Sequence, residues 1–219
     1  ADVLNLETVL EALDLRVLPH VDLFELVDRK ILSELVRQVA ARTMSAGDCG
    51  QIIRQRRQGH WYDHYRDVYE AVGAASDFLA TLDASSLTPT SLQDGIRRYA
   101  ETWYVLDQQY RKFVYHLRAS GQQSLLSALA EEVENHYSNR YLLALNDQWQ
   151  AYVDQASRWE VPGVTRADQF FATQVKPFLD KQQKACVIIS DAMRYEIGDE
   201  LVSLIRQENR YDAKLSPML

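Results

Sequence analysis

Lys184-Ala-Cys-Val-Ile-Ile-Ser-Asp191-Ala-Met-Arg-Tyr-Glu196 is the stretch from which the fold class of this chain can be predicted. Its run Ala185–Ile189 is short, apolar and rich in β-branched residues, which is typical of a strand covered on both faces in a parallel sheet. Apolar residues then recur at helical spacing, which predicts a helix from about Arg194 to Asn209. A second, weaker strand is predicted over Asp212–Ser216, and the order strand, helix, strand predicts the start of a parallel α/β unit.

Asp191 stands just past the first predicted strand, at the beginning of the predicted helix. Ligands of parallel sheets bind beyond the carboxyl ends of the strands, so a carboxylate here can bind a metal ion. The free N–H groups of the helix favour a nearby anion, and the two features together suit a metal-assisted reaction on a phosphate. The alternative is that Asp191 only caps the helix, a role in which Asp is common.

The run Val187-Ile-Ile-Ser-Asp-Ala-Met-Arg-Tyr-Glu196 resembles the opening motif of the PglZ family of the BREX phage-defence system, a branch of the alkaline phosphatase superfamily. The resemblance implies an α/β core that binds divalent metal ions, zinc or similar, and hydrolyses a phosphate ester. It implies that Asp191 is a metal ligand. Met193 departs from the motif, because Leu is expected there. Four further residues match the motif without receiving a role: Ser190, Arg194, Tyr195 and Glu196.

The same resemblance implies what lies outside the quoted stretch. In this superfamily the Ser or Thr nucleophile and the other Asp and His ligands come later in the sequence, so we expect them beyond Leu219. We therefore expect this chain to be part of a longer protein, to bind no metal alone and to be inactive alone. The implied partners are other BREX subunits, with DNA contacted only indirectly or through the intact protein.

Composition excludes several function classes. The formal charge of −7 and the pI near 5.3 argue against a protein that mainly coats nucleic acid. No apolar run approaches the roughly 18 residues of a membrane span, and the acidic N-terminus is unlike a signal peptide. Two cysteines do not make a disulfide framework. We expect a cytoplasmic bacterial protein.

Residues before 184 read as a series of helices. The first is predicted over Asp2–Leu15. The second is predicted to begin at an Asp22 N-cap and to end near Met44. Its apolar stripe consists of Leu23, Val27, Ile31 and Leu35.

Three later helices carry apolar residues at heptad spacing. The first seam runs from Trp61 to Leu82. The next two, Leu92–Leu117 and Leu126–Tyr152, are joined by a short connection and are therefore predicted to form an antiparallel hairpin with Trp103 and Phe113 buried. Thr90 and Gln93 form a predicted capping box before the hairpin.

A basic segment near the middle of the first half has two further interpretations. Arg54, Arg56 and Arg57, interleaved with aromatic residues, could contact nucleic-acid phosphates, although a solvated helix face is the simpler interpretation. His60 and His64 are spaced as zinc ligands can be, but no Glu follows His60 and no third ligand is apparent.

We therefore predict a mainly α protein with long antiparallel helices, followed by the first strand–helix–strand of an alkaline-phosphatase-like core. The predicted domains are a helical region (1–160), a linker and lead-in helix with a restart at Pro177 (161–183), and the start of the α/β domain (184–219). The predicted function is that of a BREX component that resembles a metal-dependent phosphohydrolase and whose helices mediate assembly. The alternatives are a docking module without chemistry and a nucleotide-binding α/β domain, although the first strand lacks a glycine fingerprint.

Overall fold

The computed structural model describes residues 10, 12–15 and 17–219, which are mainly helical. The predicted first helix, Asp2–Leu15, lies mostly outside these residues. π-helical turns occur at Tyr99–Trp103, His136–Leu143 and Phe171–Val175, and 3₁₀ turns at Leu18–His20 and Ala167–Gln169. The α-helices are α1 (Glu25–Ala40), α2 (Ala46–Arg56), α3 (Tyr62–Ala84), α4 (Leu92–Arg98), α5 (Tyr104–Ala119), α6 (Gln123–Asn135), α7 (Ala144–Gln155), α8 (Lys176–Leu179) and α9 (Tyr195–Gln207).

The chain divides into two compact units. The first contains the residues up to Ser86 together with Gln109–Leu143, and the second contains Leu87–Gln108 together with Ala144–Leu219. The predicted metal ligand and its motif thus belong to the second unit. The predicted domain boundaries at residues 160 and 183 stay a prediction. Among the described residues, no helix is long and apolar enough to cross a membrane.

The core of the first unit lies between α1, α3 and α6, and α2 packs on α3. On α1 the predicted stripe is confirmed at Val27, Ile31 and Leu35, which are fully buried, but Leu23 is exposed because it precedes the helix. The predicted seam of α3 is also confirmed, because six of its seven residues are buried: Tyr65, Val68, Val72, Ala75, Leu79 and Leu82. Local periodicity thus accounts for the packing of this unit.

Arg56 is buried in the first unit with only 1% of its surface exposed. Its guanidinium donates to both carboxylate oxygens of Asp28, at 3.0 and 2.5 Å. It also donates to the carbonyls of Pro19 and Val21 at 3.2 and 3.0 Å. Burial by itself lowers the pKa of Arg56, but the hydrogen bond and the charge of Asp28 raise it above its ordinary value. The buried charge is therefore both neutralised and fully hydrogen-bonded on one side of the core.

The predicted N-cap role of Asp22 is wrong. Helix α1 begins at Glu25 with Phe24 as its N-cap, and no side chain caps it. The Asp22 carboxylate instead accepts from the Arg56 guanidinium at 2.9 Å and from the backbone N–H of His60 at 2.9 Å. A buried guanidinium requires counter-charge, and this long-range requirement outweighs the local capping preference.

The predicted hairpin is confirmed in the first unit by contacts between the two helical segments that the turn at Ser120 connects. The ring of Tyr110 on α5 stacks on Tyr137, with centroids 3.6 Å apart. The Tyr110 hydroxyl donates to Glu134 at 2.6 Å. Phe113, one turn closer to the connection, is buried as predicted, with 2% of its surface exposed.

The second unit shows the same antiparallel order. Gly95 of α4 faces Trp149 of α7, and a Cβ at Gly95 would lie 2.8 Å from the indole ring. Nearer the N-terminus, the backbone carbonyl of Pro89 accepts from the Tyr152 hydroxyl at 2.8 Å. Trp103 is buried as predicted, with 3% of its surface exposed.

The predicted capping box at Thr90 and Gln93 is wrong by one residue. Ser91 is the N-cap of α4, and its hydroxyl accepts from the backbone N–H of Asp94 at 3.1 Å. The Asp94 carboxylate in turn accepts from the backbone N–H of Thr90 at 2.9 Å. That hydrogen bond is the first cause that holds the pKa of Asp94 well below its usual range. Asp94 accepts a backbone hydrogen bond as the expected Gln93 would have done. The sequence is therefore compatible with a capping box that begins at either Thr90 or Ser91.

Neither predicted strand is present in the described residues. Residues 183–190 form no regular structure, and the apolar side chains of Val187, Ile188 and Ile189 are exposed. A strand needs a neighbour to accept and donate its backbone hydrogen bonds, and no described segment lies in that position. In the described residues the one β-bridge is the isolated parallel pair Thr165 and Met218. The strand–helix–strand unit is therefore absent, although α9 (Tyr195–Gln207) is where the helix was predicted.

A stretch without helix precedes the lead-in helix of the motif. Residues 156–166 have no helix, and Pro177 stands in the first turn of α8, after the π-helical turn that ends at Val175. Proline is tolerated at the beginning of a helix, where its missing N–H costs no hydrogen bond. The helix therefore restarts at this position.

Replacing Arg56 with Ala should lower the free energy of unfolding by about 3–5 kcal/mol, because it leaves the Asp28 carboxylate buried and unpaired. The matched control is Arg57→Ala, which removes an exposed ion pair with Glu70 and should cost less than about 1 kcal/mol. Urea unfolding followed by circular dichroism measures both changes. Equal losses for the two variants would contradict the buried network.

Truncating Phe113 to Ala should lower the free energy of unfolding by about 3–5 kcal/mol, because it leaves a cavity in a buried site. Tyr115→Ala on the same helix is the control, because that ring is 65% exposed. Its effect should stay within about 0.5 kcal/mol. Chemical denaturation of both variants compares the two sites, and a Tyr115→Ala loss as large as the Phe113→Ala loss would refute the assignment of the buried face.

Candidate functional site

Asp191 lies on an exposed turn between the apolar segment and α9. The turn closes where the N–H of Met193 donates to the carbonyl of Ser190 at 3.4 Å. The N-cap of α9 is Arg194, so the alternative interpretation of Asp191 as the helix cap is wrong. The carboxylate is thus exposed to solvent three positions before the N-cap of the helix.

Arg194 sits between two buried carboxylates. Its Nη2 lies 3.4 Å from Oδ1 of Asp107, and its Nε lies 3.2 Å from Oε1 of Glu196. The Glu196 side chain is fully buried and that of Asp107 is 5% exposed, whereas Arg194 keeps 53% of its surface in solvent. One guanidinium therefore pairs with two carboxylates that are almost out of contact with water.

Tyr195 anchors the first turn of α9 on the helical part of the second unit. Its ring makes edge contacts with Tyr99 and Tyr104, with centroid distances of 5.8 and 5.4 Å. Its hydroxyl donates to the backbone carbonyl of Ala100 at 3.2 Å. Burial, and then the nearby charge of Asp199, raise the pKa of Tyr195.

Tyr99 joins this aromatic group to the buried carboxylate. Its hydroxyl donates to Oδ2 of Asp107 at 2.8 Å. Burial first, and then this hydrogen bond, raise the pKa of Tyr99 well above its ordinary value. The phenol therefore stays protonated and remains a hydrogen-bond donor.

The structure brings Asp191 and the four other motif residues together only in part. Arg194, Tyr195 and Glu196 share one cluster with residues 99–107, whereas Ser190 and Asp191 remain on the exposed turn. The partners Tyr99, Tyr104 and Asp107 were not predicted as site residues. Their local sequence is that of a heptad seam with polar neighbours. Nothing in it indicates a contact with residues 194–196, about ninety positions later in the sequence.

The basic segment divides into three different environments. Arg56 cannot contact nucleic acid because it is buried on Asp28, so this part of the prediction is wrong. Arg57 pairs with Glu70 at 2.7 Å, and Arg54 is exposed. The segment thus presents no continuous basic surface.

The described residues fit one metal ligand and not a complete site. No group of three or more His, Cys, Asp and Glu side chains among them is arranged to hold a metal ion, which includes the surroundings of His60 and His64. Asp191 has the chemistry of a single ligand for a hard or borderline divalent cation, because it is an exposed carboxylate.

Known proteins resemble both the motif region and most of the chain. The family model described as "BREX system PglZ alkaline phosphatase-like domain" matches residues 170–219. No solved structure matches the chain.

Two curated relatives are similar over a longer span. The "Alkaline phosphatase-like protein PglZ" of Bacillus cereus (strain H3081.97) is 27% identical over 201 residues, which cover 90% of this chain and 24% of the relative. The "Alkaline phosphatase-like protein BrxZ" of Escherichia coli O9:H4 (strain HS) is 30% identical over 208 residues, which cover 88% of this chain and 24% of the relative. The chain thus spans about a quarter of the length of these relatives. The resemblance of the motif around Asp191, the domain match and the two relatives agree, and together they support the assignment of this chain to the BREX PglZ family.

Proposed function

We propose that this chain contributes the first metal ligand, Asp191, to a metal-dependent phosphohydrolase. The single observation that supports this assignment is the position of Asp191: it lies inside the stretch matched by the PglZ domain, on an exposed turn that follows an apolar segment. Among the described residues, no side chain bonds to this carboxylate, so it is available for a cation.

The exposed apolar segment supports an α/β core around Asp191. Val187 is 48% exposed, and Ile188 and Ile189 are 87% and 85% exposed. Three consecutive β-branched residues in water are unfavourable, and pairing with neighbouring strands removes them from solvent while satisfying the backbone. We assign this segment to the first strand of an alkaline-phosphatase-like sheet in the full-length protein.

A divalent ion such as zinc would polarise a phosphoryl oxygen of a bound phosphate ester. This chain would supply the Asp191 side chain as a metal ligand at the C-terminal end of that strand. Arg194 is committed to Asp107 and Glu196, so it is not assigned to phosphate binding. We assign no nucleophile within residues 1–219.

We also propose that the helical region mediates assembly with other BREX subunits during phage defence in the bacterial cytoplasm. The support is that the matched domain is described as part of the BREX system. A second support is that the helices of the first unit build their own core. Any contact with DNA would then pass through the other subunits or the full-length protein.

Co-expression of the tagged full-length protein with the remaining BREX components tests this role. Retention of a named BREX subunit at stoichiometric amounts supports assembly through this protein. Purification of every component separately, under low salt, would exclude it.

In the full-length protein, Asp191→Asn should lower kcat/KM for bis-p-nitrophenyl phosphate by at least about 100-fold with zinc or manganese present, because a metal ligand supplies several kcal/mol of transition-state stabilisation. Thermal stability should not change, because Asp191 is exposed. Asp180→Asn, also exposed, is the control and should retain activity.

Residues 1–219 on their own should give no turnover in the same assay. Activity of this chain that disappears in its Asp191→Asn variant would contradict the assignment of a single ligand here. It would mean that further ligands lie in the helical region.

A further inference from the structure

The first turn of α9 is tied to residues 99–107, and this contact carries an inference about the Asp191 turn. We propose that Asp107 is a positioning residue for Asp191: it holds Arg194, and through Arg194 it fixes the turn that displays the metal ligand. The inference rests on the proposed function of Asp191.

The Asp107 carboxylate has a separate partner for each oxygen. Oδ2 accepts from the Tyr99 hydroxyl at 2.8 Å, and Oδ1 faces Nη2 of Arg194 at 3.4 Å. Since both oxygens are directed, the carboxylate cannot rotate without losing a charge-assisted contact. Its orientation therefore restricts where the Arg194 guanidinium can lie.

Glu196 gives Arg194 a second anionic contact. Its carboxylate is fully buried, and Nε of Arg194 lies 3.2 Å from it. A buried carboxylate is costly unless a cation pairs with it, and the Arg194 guanidinium contacts two such groups. Arg194 is thus held by charge on two sides while its remaining surface stays in water.

Tyr195 adds an uncharged anchor beside this ion pair. The ring contacts Tyr99 and Tyr104, and the hydroxyl reaches the carbonyl of Ala100 in the π-helical turn. π-helical turns often occur at functional sites. Two adjacent residues of the motif are therefore attached to the same short segment of the helical region.

From Arg194 the backbone leads into α9 in one direction and into the Asp191 turn in the other. The carbonyl of Arg194 accepts from the N–H groups of Ile197 and Gly198, at 3.1 and 3.0 Å, so the anchored residue begins the helical hydrogen bonding. On the other side, a Cβ at Gly198 would lie 3.1 Å from the Leu215 side chain. The start of α9 is therefore fixed in direction, and Asp191 precedes its first residue, Tyr195, by only four positions.

The test compares Asp107→Asn with Asp147→Asn in the full-length protein. Asn keeps the size of the side chain but removes the charge that faces Arg194, and Asp147 is an exposed control on α7. We expect Asp107→Asn to weaken the binding of zinc ions alone, measured by calorimetry, by about 10–100-fold. Backbone amides of residues 191–198 should exchange hydrogen faster by mass spectrometry. The control should match the wild type in both measurements.

One further variant, compared with the wild type, separates this inference from the proposed function. Asp191→Ala should weaken zinc binding more than Asp107→Asn does, because it removes a ligand itself. If it does, and Asp107→Asn binds zinc as tightly as the wild type, the positioning role is overturned while the metal site stands. If the wild type binds no zinc, the proposed function fails, and with it the role of Asp107 toward a metal ligand.

Tyr99→Phe covers the case in which Asp107→Asn does not fold. It removes only the hydroxyl that orients the carboxylate and keeps the ring against Tyr195. Weaker zinc binding with faster exchange over 191–198 supports the positioning role. A lower melting temperature with unchanged zinc affinity would reduce Asp107 to a purely structural residue and overturn it.

Discussion

The packing of the first unit depends on neutralising one buried guanidinium. Arg56 comes from the end of α2, and its partners come from the segment before α1 and from α1 itself. Tyr69 of α3 completes the set by donating to Asp28 at 2.6 Å. Burial, and then this hydrogen bond, raise the pKa of Tyr69, so it remains a donor. An apolar core tolerates many substitutions among apolar side chains. The Arg56 charge, in contrast, is fully paired only when four separate segments meet, which favours the native packing over alternative packings.

Buried charges are also paired in the second unit, but there the cation is partly exposed. There the guanidinium of Arg194 stays half in water, and the buried groups are the carboxylates of Asp107 and Glu196. An anchor of this kind can hold a motif in place and still leave its solvent side open to ligands. The family motif is thereby divided between residues that hold the turn and a residue, Asp191, that is presented by it.

Much of the helical architecture could be predicted from the sequence, because it depends on local periodicity. The seam of α3, the burial of Trp103 and Phe113, the restart at Pro177 and the extent of α9 all follow from spacing that neighbouring residues determine. The failures share another cause. Asp22 does not cap α1, because its carboxylate pairs with the guanidinium of Arg56, more than thirty positions away in sequence. The apolar run before Asp191 does not form a strand, because no described segment pairs with it. Asp107 gave no sign of its role, since an acidic residue on a helix normally marks a solvated face.

The isolated bridge between Thr165 and Met218 has a topological consequence. The N–H of Leu219 donates to the carbonyl of Thr165 at 3.0 Å, and the N–H of Ala167 donates to the carbonyl of Leu219 at 2.6 Å. These two bonds close a loop of chain that encloses the whole PglZ motif. Once the loop is closed, each residue within it has lost part of its freedom, and the entropic cost of further closures inside the loop falls. Closure of the bridge and ordering of the chain within residues 165–219 therefore stabilise each other.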